Sequence, residues 1–429
     1  MQPDLKLPQR EAFAADPMHV VVPRAAGLDV HKMQVTATVR LCEPGGGLPL
    51  SLTREFSALP RGLAGMTEWL LSHGVTAAAM EGTGVYWLAP CEALEEARIA
   101  PSLFHAQHVK QIKGRKTDIG DSVWLARVCQ LGLAAPSYVP PKRFRHLRQL
   151  CRYRRKLVAE RSRARNRLQK VLDHDGLRLG GALTDILGTN GRRILHGLAE
   201  GQPVQRILAG LTYHVRGKLQ QLAATLEARL DRHSLWTMRD LIQSIDALNE
   251  RLRALDERML EDLQDCRRQL QLLETMPGVS LTSACAILAE LGPDPGVFPD
   301  PRHLGSWAGV CPGNDQSAGK RRSGRARKGN PTLRATLAEC AQAAVRTKGT
   351  QFHGYHGVLS KRIGYKRAIL ATAYRMLRAM CRMLSEDRPY RDPAIDYEEL
   401  VVRRNAPRWL RKLNKYGFLE QERRRAGRA

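Results

Sequence analysis

RAAGLDVHKMQVTATVRL, at residues 24–41, contains two runs rich in apolar and β-branched residues with a short polar break between them. Such runs predict two neighbouring β-strands joined by a turn. A third run of this kind, LSLTREFSA, follows at residues 50–58. These three segments therefore predict a sheet that begins with three consecutive strands.

Helices and strands alternate in the next part of the chain. The patterns LAGMTEWLLSHG, YWLAPCEALEEAR and DSVWLARVCQLG are amphipathic and predict helices, whereas VTAAAME and PSLFH predict short buried strands. Three strands followed by helix–strand alternation indicate a mixed α/β sheet over residues 21–140.

The remainder of the chain is predicted to be mostly helical. Residues 142–170 contain 13 Lys or Arg and one acid, without Pro or Gly. Farther on, apolar residues at heptad spacing predict a coiled coil or, equally, a long helix packed within its own bundle. They are Met238, Leu241, Ile245, Leu248, Leu252, Leu255 and Met259. These heptads also suggest a way for protomers to associate.

The changes in pattern divide the chain into five parts. An N-terminal tail (1–20) precedes the α/β domain (21–140), and a basic helical and coiled-coil segment (141–272) follows. A helical C-terminal domain (273–385) and a basic tail (386–429) complete the chain. The tail is so rich in Arg and Lys that we expect it to be partly disordered.

Composition limits the classes of partner. The 429 residues carry a formal charge of +27, which indicates a nucleic-acid partner. No apolar run reaches the roughly 18 residues that a membrane span requires, and residues 1–20 lack the apolar core of a signal peptide. The nine cysteines occur singly, as is typical of reduced core residues. We therefore expect a cytoplasmic protein without a membrane partner, associated with the nucleoid when it acts.

Four acidic residues stand where predicted strands end or a helix begins. Asp29 ends RAAGLD, Glu81 ends VTAAAME, and Asp118 and Asp121 are three residues apart in KTDIGDSVWLA, on one face of a predicted helix. Clustered carboxylates repel one another unless a cation lies between them, and Mg²⁺ prefers oxygen ligands. We therefore expect one or two Mg²⁺ ions, with Mn²⁺ as an alternative, bound by these acids.

The motifs GLDVHK, MEGTGVYW and KTDIGDSVWLA resemble those of the DEDD transposases of the IS110 family. The resemblance covers about residues 24–385. It implies a RuvC-like N-terminal domain of RNase H fold and a metal-binding tetrad of Asp29, Glu81, Asp118 and Asp121. It also implies double-stranded donor and target DNA, a bridge RNA encoded by the element, and a homo-oligomer, either a dimer or a tetramer.

A basic, glycine-rich segment contains the second set of candidate residues. Residues 317–334 contain seven Lys or Arg and no acid. GVCPGNDQSAGKRRSGRARKGNPTLR resembles the C-terminal signature of the same family, in which a serine attacks DNA and forms a phosphoserine link. The matching residue is Ser317, although Ala318 stands where the family has glycine. A loop serine that only binds phosphate is the alternative.

Further residues are candidates for binding nucleic acid, because phosphates attract clustered Lys and Arg. TMPGVSLTSACAILAEL resembles a helix-hairpin-helix, whose turn would present N–H groups to a phosphate; an ordinary helical hairpin is the alternative. The candidates are Lys113, Arg115, Lys116, Gly278, Lys320, Arg321, Arg325 and Lys328. We also expect the basic helix after residue 142 to contact nucleic acid rather than only solvent.

These features predict a DNA transposase or recombinase that cuts and rejoins strands through Ser317. One alternative is a RuvC-like junction endonuclease that uses metal-activated water. The other is a non-enzymatic coiled-coil protein that binds nucleic acid.

Overall fold

The computed structural model describes residues 9–10, 20–42, 49–82, 84–105, 120–228, 230–311, 315–317, 320–323 and 329–419, with only the backbone at 9–10, 315–317, 320–323 and 398. The chain divides into two compact units, residues 1–142 and 143–429. The finer division into five parts stays a prediction.

The first unit contains a mixed sheet. Its strands are β1 (Gln9–Arg10), β2 (Arg24–Val30), β3 (Gln34–Leu41), β4 (Leu50–Ser57), β5 (Ala77–Glu81) and β6 (Ala100–Phe104). Their order across the sheet is β1-β4-β3-β2-β5-β6. Strand β3 is antiparallel to both β2 and β4, and β1 is antiparallel to β4, whereas β5 is parallel to both β2 and β6. The predicted α/β sheet is therefore confirmed.

Helices cover both faces of this sheet. They are α1 (Pro60–Ser72), α2 (Leu88–Glu96) and α3 (Asp121–Leu131). Leu28 and Met80 share a core with Met66 of α1 and Leu94 of α2. Alternate residues of the same strands, such as Ala25, contact α3 on the other face.

The second unit is mostly helical. Its helices are α4 (Lys142–His174), α5 (Thr189–Ala199), α6 (Val204–Ala209), α7 (Leu219–Leu226), α8 (Arg232–Asp262), α9 (Arg267–Glu274), α10 (Leu281–Leu291), α11 (Pro301–Trp307), α12 (Pro331–Ala344), α13 (Gln351–Ile363), α14 (Tyr365–Glu386) and α15 (Tyr397–Lys415). A two-stranded antiparallel hairpin of β7 (Asp315–Ser317) and β8 (Lys320–Ser323) stands between α11 and α12.

The long helices α4 and α8 run antiparallel to each other. Arg154 pairs with Asp256, and Arg161 donates to Asn249 at 3.0 Å. The residue numbers therefore increase along α4 as those of the partners decrease along α8. Each end of this helix pair contributes to a different hydrophobic core.

The heptad residues of α8 are used within the chain. Met238, Leu241, Ile245, Leu252 and Met259 are at most 9% exposed, and all of them except Leu252 belong to the two cores of the second unit. This packing matches the alternative of a long helix within its own bundle. Because these side chains are already buried within the chain, they are not exposed for contact with a second protomer. A coiled coil stays a prediction.

Part of the basic tail is helical, since residues 397–415 form α15. Tyr397, its first residue, stacks edge-on against Tyr355 with ring centroids 5.5 Å apart, and the guanidinium of Arg375 lies 5.3 Å from its ring. Aromatic and cation–π contacts anchor this end of the helix, which charge counting along the sequence does not detect.

Two predictions from composition agree with the structure. All nine cysteines are free and seven of them are buried. Within the described ranges, no helix combines the length and the apolar character that crossing a membrane requires.

We predict that Ile245→Ala lowers the free energy of unfolding by about 2–4 kcal/mol, because it leaves a cavity at a fully buried position. Ile245 is 0% exposed, whereas Leu260 on the same helix is 37% exposed. Leu260→Ala is the matched control and should cost less than about 1 kcal/mol. Urea titration followed by far-UV circular dichroism measures both; equal losses would show that the seam of α8 is not buried as described.

Candidate active site

Asp29 and Glu81 lie at the same end of adjacent parallel strands. Leu28 of β2 is directly opposite Met80 of β5, and the next residue on each strand is the acid. The carboxyl ends of parallel strands meet at one edge of a sheet, which is where α/β proteins commonly place their sites. The structure therefore brings together these two predicted residues.

Strand alternation places both acids on the face that α3 covers. Ala25 and Ala79 contact the core beneath α3, whereas Leu28 and Met80 face the other helices. Successive side chains of a strand point to opposite faces. Asp29 therefore shares the face of Ala25, and Glu81 that of Ala79.

The helix α3 starts close to this edge because β2 has a glycine beneath it. A Cβ atom on Gly27 would overlap the carbonyl oxygen of Ser122 and the backbone nitrogen of Ala126. The hydroxyl of Ser122 also forms a 2.8 Å hydrogen bond with that of Thr38, which pairs with Gly27 in the sheet. Both hydroxyls are buried, and each satisfies the other.

Asp121 is the first residue of α3, so the packing at Gly27 also fixes its position. Gly120 is the N-cap and is not helical. That Asp118 and Asp121 share one helix face stays a prediction. Asp118 itself lies outside the described residues, as do Lys113, Arg115 and Lys116.

The donor chemistry at this edge suits a hard divalent cation, since carboxylate oxygens are the ligands of Mg²⁺. Among the described residues, however, no three acidic, histidine or cysteine side chains are close enough to hold a metal ion. Asp29 is partly exposed, at 34% of its side chain, and lies 3.3 Å from His31. Asp29 is therefore accessible to a cation, and the described residues alone do not make up a complete set of metal ligands.

In the second unit, Ser317 ends β7, next to the turn of the hairpin. It pairs with Lys320 in the register, and Arg321 pairs with Gln316. The side chains of these residues are not described, and Arg325 and Lys328 lie outside the described residues. The backbone alone shows that Ser317 and two predicted basic residues lie in one short hairpin.

Cys311 is the other nucleophilic side chain near this segment. Burial raises the pKa of its thiol, so the reactive thiolate is less populated than at an exposed cysteine.

Gly278 has a packing role that the sequence did not suggest. Its φ is +83°, and a Cβ there would overlap the carbonyl oxygen of Cys340 in α12. The turn between α9 and α10 therefore needs glycine in order to pack against α12. Contact of Gly278 with a phosphate stays a prediction.

The basic residues of α4 fall into two groups. Some are paired with acids within the second unit: Arg143 with Asp265, Arg148 and Arg152 with Glu290, Arg154 with Asp256, Arg155 with Glu339, and Arg165 with Asp185. A second group lies on the surface of the helix. Lys156, Arg163, Arg167 and Lys170 are exposed, and they follow one another along a single face of the helix.

Comparisons with known families agree with this arrangement. Residues 26–174 match a profile of DEDD transposases of the IS110 type, and residues 270–357 match one described as the transposase IS116/IS110/IS902 family. A search of curated proteins finds no match. Fold, site and profiles define a DNA transposase, an enzyme that acts on DNA. The chain belongs to the IS110/IS116/IS902 family of DEDD transposases, which generally depend on a divalent metal.

We predict that Gly27→Ala displaces α3 and lowers DNA strand-transfer activity, because the new methyl group overlaps the helix backbone. Overpacking of this kind costs about 1–3 kcal/mol of folding free energy. Activity on the element's terminal DNA and urea unfolding measure the two effects.

Gly65→Ala is the matched control. Nothing lies within 4 Å of a Cβ at Gly65, which is inside α1. Alanine is favoured over glycine in a helix by up to about 1 kcal/mol, so this variant should be as stable as the natural chain or more so. Full activity of Gly27→Ala would contradict the close contact.

Proposed function

We propose that this transposase cuts and rejoins DNA through a phosphoserine formed on Ser317, with a divalent ion, Mg²⁺ by preference, held by Asp29, Glu81, Asp118 and Asp121. The observation that carries the proposal is the placement of Asp29 and Glu81 at the same end of adjacent parallel strands, on the face where Asp121 opens α3.

A RuvC-like domain of RNase H fold is part of the proposal. The sheet supports it: the antiparallel strands β4, β3 and β2 continue into the parallel strands β5 and β6. In this arrangement a central strand and its parallel neighbour each have an acid at the same end, Asp29 next to the last residue of β2 and Glu81 as the last residue of β5, as the tetrad requires.

The proposed reaction needs a nucleophile and positive charge around the phosphate. The Oγ of Ser317 forms a bond to phosphorus, its proton leaves to a base, and a phosphorus–oxygen bond of the strand breaks. The departing oxygen takes up a proton. Lys320, Arg321 and Arg325 stabilise the negative charge that grows on the phosphate oxygens. Because the phosphoserine preserves the phosphodiester bond energy, a second strand can reverse the step and reseal the DNA.

The four acids of the tetrad take part in the proposed reaction by holding the divalent ion. When bound, a divalent ion supplies Lewis-acid charge at the phosphate oxygens. Asp29 and Glu81 would hold the ion from rigid strands, and Asp121 would hold it from the first turn of α3. Side chains on strands and helix starts hold their geometry better than side chains on loops.

The proposal includes a bridge RNA and more than one protomer. The exposed face of α4 with Lys156, Arg163, Arg167 and Lys170 supports binding of a nucleic-acid backbone. Lys113, Arg115, Lys116, Gly278 and Lys328 are proposed as further phosphate contacts. We propose that the chain forms a dimer or tetramer through residues other than the heptad residues of α8.

We predict that Ser317→Ala abolishes the covalent protein–DNA adduct, because it removes the attacking hydroxyl, while DNA affinity stays unchanged. Denaturing electrophoresis and mass spectrometry of adducts formed with the element's terminal DNA, its RNA and Mg²⁺ make the measurement. Asp29→Asn should also abolish the adduct, by removing a carboxylate without changing size.

Ser323→Ala is the matched control, since Ser323 lies in the other strand of the same hairpin. It should form the adduct as the natural chain does. Full strand cutting by Ser317→Ala would instead favour a nuclease that uses activated water. Full adduct formation by Asp29→Asn would contradict the role of Asp29 as a metal ligand, and no adduct from the natural chain would favour a protein that only binds nucleic acid.

A further inference from the structure

Glu290 is a buried carboxylate in the second unit that the proposed reaction does not use. It is 1% exposed and lies at the end of the apolar helix α10. Arg148 Nε lies 3.0 Å from its Oε2, Arg152 Nη2 lies 3.0 Å from its Oε1, and Asn330 Nδ2 donates to its Oε2 at 2.6 Å. A carboxylate so far from water needs these partners, because an unpaired buried charge is very costly.

Asn330 connects this charge to the segment that carries Ser317. Its side-chain oxygen accepts hydrogen bonds from the backbone N–H groups of Thr332 and Leu333, both at 3.1 Å, and so caps α12. Its own backbone N–H donates to the carbonyl oxygen of Trp307 at 2.8 Å. One residue therefore begins α12 and joins the two ends of the segment between α11 and α12.

The two ends of this segment touch each other. A Cβ atom on Gly329 would overlap the backbone of Trp307 and Gly309. We call residues 307–309 and 329–330 the neck of the serine loop. The hairpin of β7 and β8, with Ser317 at its turn, extends from this neck.

Arg148 ties the neck to the rest of the unit. Its guanidinium donates to the carbonyl oxygens of Ala289, at 3.1 Å, and Glu290, and it lies 5.6 Å from the centroid of the Trp307 ring. The same arginine therefore contacts the last turn of α10, the Glu290 carboxylate and one side of the neck.

Buried ion pairs contribute little net stability, but they can fix one geometry, since each partner has few alternative positions. Here the fixed geometry is that of the neck. We propose that Glu290, together with Arg148 and Asn330, is a positioning residue that sets where the serine loop stands, and hence where Ser317 meets a phosphate. This inference rests on the proposed function of Ser317.

The test compares Glu290→Gln, Asn330→Ser and Asp256→Asn in the full-length chain. Asn330→Ser keeps a side chain that can cap α12 but loses the amide donor to Glu290. Asp256→Asn is the matched control: it weakens another pair of α4, Arg154 with Asp256, away from the neck. Each variant is measured for DNA affinity, thermal stability, maximal rate of adduct formation and hydrogen–deuterium exchange of residues 306–311 and 329–333.

We expect Glu290→Gln and Asn330→Ser to speed exchange at the neck and to lower the maximal adduct rate by about tenfold or more, since small misplacements of reacting groups have effects of this size. DNA affinity should stay within about twofold, because phosphate contacts are untouched. The double variant should be no slower than the worse single variant, as coupled residues behave. Asp256→Asn should change stability without changing the adduct rate.

Three outcomes would overturn the inference: unchanged exchange at the neck, a changed neck with a natural adduct rate, or an equal loss of rate in Asp256→Asn. The proposed function is judged separately by Ser317→Ala. If that variant still forms the adduct, Ser317 is not the nucleophile, and the positioning role toward Ser317 is overturned with it. The exchange data then still decide whether Glu290 holds the neck.

Discussion

The contact between Gly27 of β2 and the first turn of α3 is the constraint on which the N-terminal site depends. Glycine lets the helix backbone approach the strand closely, and the buried hydroxyls of Thr38 and Ser122 fix the helix along the strand. Asp121 is the first residue of that helix, while Asp29 is the penultimate residue of the strand that the helix packs against. The position of one acid relative to the other is therefore set by backbone packing, which is far stiffer than side-chain contact between exposed carboxylates.

In a strongly basic chain, some basic residues form ion pairs that stabilise the fold, and others stay available to bind DNA. Both kinds of positive charge occur in α4. Arginines such as Arg154 pair with acids of the same unit, and others such as Arg163 and Arg167 stay exposed. The paired residues are neutralised locally, so the attraction for a polyanion comes from fewer residues than a count along the helix suggests.

Much of the fold could be read from the sequence because its strands and helices have clear periodicity. The predicted strands RAAGLDV and LSLTREFSA coincide with β2 and, to within one residue, with β4. The acids at strand ends could also be found, since an acid after an apolar run is unusual. The long helix α8 was predicted from its heptads, but the partner that covers them was not, because a heptad pattern specifies an apolar seam and not what packs on it.

The site's supporting residues were not predictable in this way. Thr38, Ser122 and Asn330 are ordinary polar residues in the sequence, and Glu290 is marked only by its place in the apolar run AILAEL. Their importance comes from partners more than 30 residues away along the chain: Ser122 bonds Thr38 across 84 positions and Asn330 bonds Glu290 across 40. Hydrogen bonds between distant positions leave no periodic trace in either segment.

The sequence by itself determined the α/β sheet, the helical remainder, the basic character and the family motifs, because local periodicity and composition encode these features. Only the tertiary structure decided that α8 packs against α4, that Gly278 serves contact with α12, and that a buried carboxylate stands at the neck of the serine loop. Those features depend on which segments, far apart in the sequence, come close enough to leave no room for a side chain or to form a hydrogen bond. That distance is a property of the folded chain and not of any one segment.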